Sequence, residues 1–188
     1  MSDTKRIILA VTGASGAIYA VALLELLQRL GVEVHGIISN AGRKVMAIEE
    51  GRSLESLMPL AHAWYEVDDF TAPVASGSAR FEAMVVLPCS MGTLAAIAHG
   101  FSGNLIHRAA DVTLKERRPL LLAVRETPFN RTHLVNMLEA HDAGATIIPP
   151  LPAFYHRPGT VQELVGNYCG RLAEQLGFEV ADLPRWGE

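Results

Sequence analysis

Ile7-Ile8-Leu9-Ala10-Val11-Thr12-Gly13-Ala14-Ser15-Gly16-Ala17 decides the fold. An unbroken apolar run ends in a glycine- and hydroxyl-rich turn, and a helical pattern follows over Ala17–Leu30. Continuous apolar sequence marks a strand buried on both faces, which occurs in parallel sheets covered by helices on either side. The same alternation continues outward. The apolar runs Val32–Ile38, Ala83–Leu87, Leu120–Val124 and Thr146–Ile148 predict further strands. Only Val32–Ile38 is interrupted by polar residues, Glu33 and His35. Helical patterns cover Ala41–Glu50, Met91–His99, Leu105–Lys115, Arg131–Asp142 and Val161–Leu176. The expectation is a three-layer Rossmann-like α/β fold, its central sheet mostly parallel, with ligands at the carboxyl ends of the strands. The stretch from Pro59 to Arg80 is the least regular, and a loop that long in a compact domain points to function.

The turn at 12–17 suits a phosphate or a polar ring edge, because glycines allow a tight turn and a helix start exposes unpaired amides. It is not a dinucleotide site. Tyr19 stands where the extended fingerprint wants glycine, and Ser39-Asn40 follows the second strand where an acidic residue would hold a ribose diol. Ser39 offers a small hydroxyl suited to a mononucleotide phosphate. Leu87-Pro88-Cys89-Ser90-Met91-Gly92-Thr93 repeats the design, with Ser90 as N-cap; it reads either as a second ligand loop or as an ordinary capped helix.

With 188 residues, one domain over 1–188 is expected. Hydrophobic residues make up 49% and charged residues 19%, which excludes a disordered chain. A formal charge of −4 gives no nucleic-acid or membrane surface, and no apolar run is long enough to span a bilayer. The polar start Met1–Arg6 leads straight into a strand, so no signal peptide is expected, and two separated cysteines fit a reduced, cytoplasmic protein. The seven histidines are scattered without ligand spacing, so no metal site is expected.

Some charged residues stand out. Arg171 falls on the apolar stripe of the last helix, between Leu164, Tyr168 and Leu172, either in a structural ion pair or beside an anion. Arg108, Asp111 and Lys115 share one helix face, which is either a solvated surface or part of a site. Arg125-Glu126 stands at a strand's carboxyl end before a Pro turn, where an Arg for phosphate and a Glu for proton transfer would fit. Phe154-Tyr155-His156 can bring a phenol to the same rim. The apolar breadth of Ala17–Leu30 and of Met91–His99 is read either as oligomer contact or as plain burial.

Taken together, these strings resemble the UbiX flavin prenyltransferases, a phenylacrylic acid decarboxylase-like flavoprotein family. The resemblance is carried by Thr-Gly-Ala-Ser-Gly at 12–16, Pro-x-Ala-Ser-Gly-Ser at 73–78, Pro-Cys-Ser-x-Gly-Thr at 88–93 and Arg-Ala-Ala-Asp-Val-x-Leu-Lys-Glu-Arg-Arg-Pro at 108–119. Arg-Glu-x-Pro-Phe at 125–129, Phe-Tyr-His-x-Pro at 154–158 and Leu-Pro-Arg-Trp-Gly at 183–187 complete it. The resemblance implies a transferase that joins the dimethylallyl group of dimethylallyl phosphate to N5 and C6 of reduced FMN without a metal, supplying prenylated FMN to a UbiD-type decarboxylase. It implies FMN contacts from Gly13, Ala14, Ser15, Ser39, Ser90, Met91, Gly92, Thr93 and Arg125. Tyr155, Arg171, Lys115 and Arg108 would hold the substrate phosphate, and Trp186 would cover the prenyl pocket. Glu126 would be the acid–base residue, with Ser15 and Glu49 supporting the flavin N5 region. It also implies a homododecamer whose sites draw on neighbouring subunits. Phe70 departs from the Trp carried by some of the family. The alternatives are a cysteine-decarboxylase-type flavoenzyme, whose early catalytic His and Pro-x-Met-Asn segment are not evident here, and a non-catalytic flavin carrier.

Overall fold

The structure is a computed structural model that describes residues 5–181 and 183–187; Met1–Thr4 of the polar start lie outside the described residues. Among the described residues six strands form the sheet: β1 (Arg6–Val11), β2 (Glu33–Ile38), β3 (Ala63–Tyr65), β4 (Ala83–Cys89), β5 (Leu120–Val124) and β6 (Thr146–Ile147). Their order is β3-β2-β1-β4-β5-β6, and every pairing is parallel, so the expected mostly parallel sheet is parallel throughout. The order reverses between β1 and β4, and the crevice above that point is where such sheets take ligands.

Among the described residues seven α-helices flank the sheet: α1 (Ala17–Arg29), α2 (Asn40–Glu50), α3 (Leu54–Leu57), α4 (Met91–Ala98), α5 (Leu105–Lys115), α6 (Arg131–Asp142) and α7 (Val161–Gln175). Alternate side chains of each strand feed two cores. Ile7, Leu9 and Val11 pack with Leu23, Leu24 and Leu27 of α1 and with Cys169 and Leu172 of α7. Ile8 and Ala10 pack with Leu94 of α4, Ile106 and Ala110 of α5 and Ala140 of α6. Burial on both faces is the physical reason these strands read as unbroken apolar runs.

The sequence reading departs from the structure in several places that bear on the site. β4 runs two residues past Leu87, through Pro88, because the register shifts between Val86 and Cys89; an irregularity of this kind accommodates a proline that cannot donate to the ladder. β3 lies inside the stretch read as irregular. Arg171 is not on the buried stripe: Val165, Tyr168, Cys169 and Leu172 are buried, while Arg171 stands at the exposed margin with half its side chain in solvent. Among the described residues no helix is long and apolar enough to cross a membrane.

Candidate active site

The carboxyl ends of four neighbouring strands are tied into one rim. The Ser39 amide donates to the Val11 carbonyl at 3.0 Å, joining β2 to β1. The Thr12 hydroxyl donates to the Pro88 carbonyl at 2.7 Å and accepts from the Ser90 amide at 2.9 Å, joining β1 to β4. The Arg125 amide donates to the Cys89 carbonyl at 3.0 Å, joining β4 to β5. Thr12 is almost fully buried and was not singled out from the sequence. A threonine after an apolar strand carries no separate signal, because its partner lies 76 residues away.

This rim gathers all the residues expected to contact a flavin. Gly13, Ala14 and Ser15 sit on the β1–α1 turn, and Gly13 lies so close to Ala41 of α2 that an added Cβ would stand 2.5 Å from the Ala41 Cβ. Ser39 caps α2, its side chain accepting from the Gly42 amide at 3.0 Å. Ser90 caps α4 and donates to the Thr93 hydroxyl at 3.1 Å. Gly92 faces open space. Arg125 and Glu126 are exposed at the mouth, and the Glu126 carboxylate accepts from the Thr127 amide at 2.9 Å.

Glu49 changes the reading of the first loop. Its Oε2 accepts from the amides of both Gly16 and Ala17, each at 2.9 Å. The start of α1, expected to suit a phosphate or a polar ring edge, therefore already holds an internal carboxylate from the end of α2. Burial acts to raise the Glu49 pKa, but the Ser15 hydroxyl, the two amides and the Arg125 charge outweigh it and hold the group below the usual 4.5. The open anion-binding groups of the rim are the capped starts of α2 and α4 and the Arg125 side chain.

A cavity of about 570 Å3 opens beside the end of β6 and is lined by Ile148, Leu151, Tyr155, Tyr168, Arg171 and Trp186, among others. Tyr155 and Trp186 meet edge to face at 5.5 Å, and the Tyr155 hydroxyl donates to the Pro184 carbonyl at 3.1 Å. Arg171 pairs with Glu174 at 3.1 Å. Tyr155, Arg171 and Trp186 are thus brought together. Arg108 and Lys115 do not join them within one protomer. They lie on α5, across the sheet from α7, with Arg108 on Asp111 at 2.8 Å and on the Ala75 carbonyl at 3.1 Å, and Lys115 on Glu116. Phe70 is half exposed and does not line the cavity.

Two of the scattered histidines come together in the fold. Strand pairing places His35 opposite Ala63, so His62 comes beside Glu33 and His35, and ligand-capable atoms of the three lie within 4.8 Å of one another.

Comparison with known proteins shows which family the chain falls in. Residues 1–164 match the Flavoprotein family model. The flavin prenyltransferase UbiX of Deinococcus radiodurans is 48% identical, with 100% of this chain and 96% of that protein covered. The chain belongs to the UbiX flavin prenyltransferase family. It is an enzyme of that class, with the flavoprotein α/β fold. Among solved structures, AnUbiX (PadA1) in complex with FMN and dimethylallyl pyrophosphate has a TM-score of 0.97 at 43% identity, covering 99% of each chain. A dodecameric FMN-dependent UbiX-like decarboxylase from Escherichia coli O157:H7 has a TM-score of 0.94 at 40% identity, covering 97% of this chain and 100% of that one.

Proposed function

We propose that this chain, a single domain over 1–188, transfers the dimethylallyl group of dimethylallyl phosphate to N5 and C6 of reduced FMN, as a cytoplasmic homododecamer that hands its product to a UbiD-type decarboxylase. The observation that carries the reading is the convergence of the Gly13–Ser15 turn, the Ser39 and Ser90 caps and Arg125 on one rim in a chain of this family. The rim fits FMN. Glycines permit close approach of a flat ring, while hydroxyls, helix-start amides and a guanidinium suit its monophosphate. When bound, reduced FMN supplies the nucleophilic nitrogen and carbon.

The chain's own residues do the rest. Ser39, Ser90 and Thr93 with Arg125 hold the flavin phosphate, and Gly13, Ala14, Met91 and Gly92 flank the ring. Ser15 and Glu49 fix hydrogen bonding near N5. Tyr155 and Arg171, with Lys115 and Arg108 from a neighbouring subunit, grip the departing phosphate, so that cationic side chains carry the charge without an added divalent ion. Trp186 excludes water from the prenyl group, its π face favouring positive charge on the migrating carbon. Glu126 takes or relays the ring proton.

The test is anaerobic incubation of the protein with reduced FMN and dimethylallyl phosphate, without added divalent cation, followed by mass analysis of the flavin. Gain of one dimethylallyl unit is expected. An unchanged flavin mass rejects the reading.

A further inference from the structure

We propose that Glu33, His35 and His62 form a zinc site that clamps the edge of the sheet, at the end opposite the flavin rim. Glu33 and His35 alternate along β2, so their side chains point to the same face, and His62 immediately precedes β3, the edge strand. The Glu33 Oε1 lies 2.8 Å from His35 Nε2 and 3.9 Å from His62 Nε2. Tetrahedral zinc with bonds near 2.1 Å needs its ligand atoms about 3.4 Å apart. The three ligand atoms lie within 4.8 Å of one another, so the Glu33–His35 pair must open by about half an ångström and the exposed His62 side chain must swing in toward both. Two imidazoles and a carboxylate are a zinc donor set, with a fourth position left for water.

The surroundings support the assignment. His35 is only 3% exposed, and its other ring nitrogen, Nδ1, lies 2.8 Å from the Tyr65 hydroxyl. Without metal, Nε2–H donates to Glu33 and the phenol donates to Nδ1. With metal, the ring proton moves to Nδ1, which donates to the phenol oxygen, and Nε2 presents its lone pair to the ion. Both tautomers are satisfied by the same partners, so metal entry leaves no buried polar atom without one. Second partners of this kind orient metal-binding histidines in general. Arg6 Nε holds the Glu33 carboxylate at 2.9 Å. That bond falls on the same Oε1 that meets both imidazoles, and the Arg6 charge opposes a cation, so the Glu33 carboxylate must turn to keep Arg6 on one oxygen and offer the other to the metal. Access is open: a cavity of about 320 Å3 is lined by Glu33 and His62, and the His62 side chain is 60% exposed. The rival assignment is a metal-free Glu–His hydrogen bond that only closes the foot of β2.

Full-length protein stripped with a chelator and titrated with zinc alone separates the two. One zinc per chain at micromolar affinity or tighter is expected, with a ten-fold or greater loss in both His62→Ala and Glu33→Gln and no change in His141→Ala. His62 is exposed, so its loss leaves the fold intact. Zinc should raise the melting temperature of the wild type and not that of His62→Ala, and anomalous scattering from a zinc-soaked crystal should peak among the three side chains. Equal zinc affinity in wild type and His62→Ala, no stoichiometric binding, or an anomalous peak elsewhere would overturn the proposal.

Discussion

Thr12 shows how much one buried hydroxyl can organise. It accepts from one strand end and donates to it as well, so Thr12→Val, which keeps the shape, leaves the Pro88 carbonyl and the Ser90 amide without that partner. A loss of about 1–3 kcal/mol in stability is expected from denaturant unfolding, together with weaker FMN binding by titration. Glu49 gives a pH signature. Its pKa is held below 4.5 in the folded chain, so its contribution is complete above that value and disappears as pH falls through the folded pKa. Glu49→Gln should therefore lose about 0.5–1 kcal/mol near neutrality. The gap to wild type should close on acidification below pH 4.5, as read from melting curves across pH. Neither role was legible in the sequence by itself. Glycines and hydroxyls at strand-to-helix turns announce a ligand loop, but which carboxylate reaches Gly16 is decided by tertiary packing 33 residues away.

The elements themselves were largely readable, because strands buried on both faces and helices with one apolar stripe write opposite periodicities into the chain. α5 and β5 match the expected spans at both ends. β3 escaped because three residues between His62 and Glu66, all partly exposed at the sheet edge, have neither a long apolar run nor alternation. That omission hid the Glu33–His35–His62 cluster too, since only strand pairing brings His62 to β2. Packing between elements also sets a sharp test. An added Cβ on Gly42 would stand 2.8 Å from the Val11 carbonyl oxygen, where the start of α2 crosses the end of β1. Gly42→Ala should destabilise the protein by about 1–3 kcal/mol in chemical unfolding and loosen FMN, because α2 must back away from the rim.

At the scale of the whole molecule, the division of cations is the informative fact. Tyr155 and Arg171 share a cavity with Trp186, while Arg108 and Lys115 sit across the sheet. A site completed by neighbours predicts complementation. Lys115→Ala and Tyr155→Ala should each abolish turnover, yet co-assembled chains should recover up to roughly a quarter of wild-type activity, because some sites then take both intact residues from different copies. No recovery in mixed assemblies would assign both residues to one protomer. The carboxylate at the head of α1 has a wider consequence, for which molecules are turned away. Chains of related architecture leave that spot vacant for a pyrophosphate bridge. Here a fixed negative charge already sits on those amides, so a nicotinamide dinucleotide would meet like-charge repulsion where it needs its firmest hold. Discrimination between one-phosphate and two-phosphate cofactors thus begins with a side-chain stopper on the backbone amides, ahead of any contact with the bases or sugars.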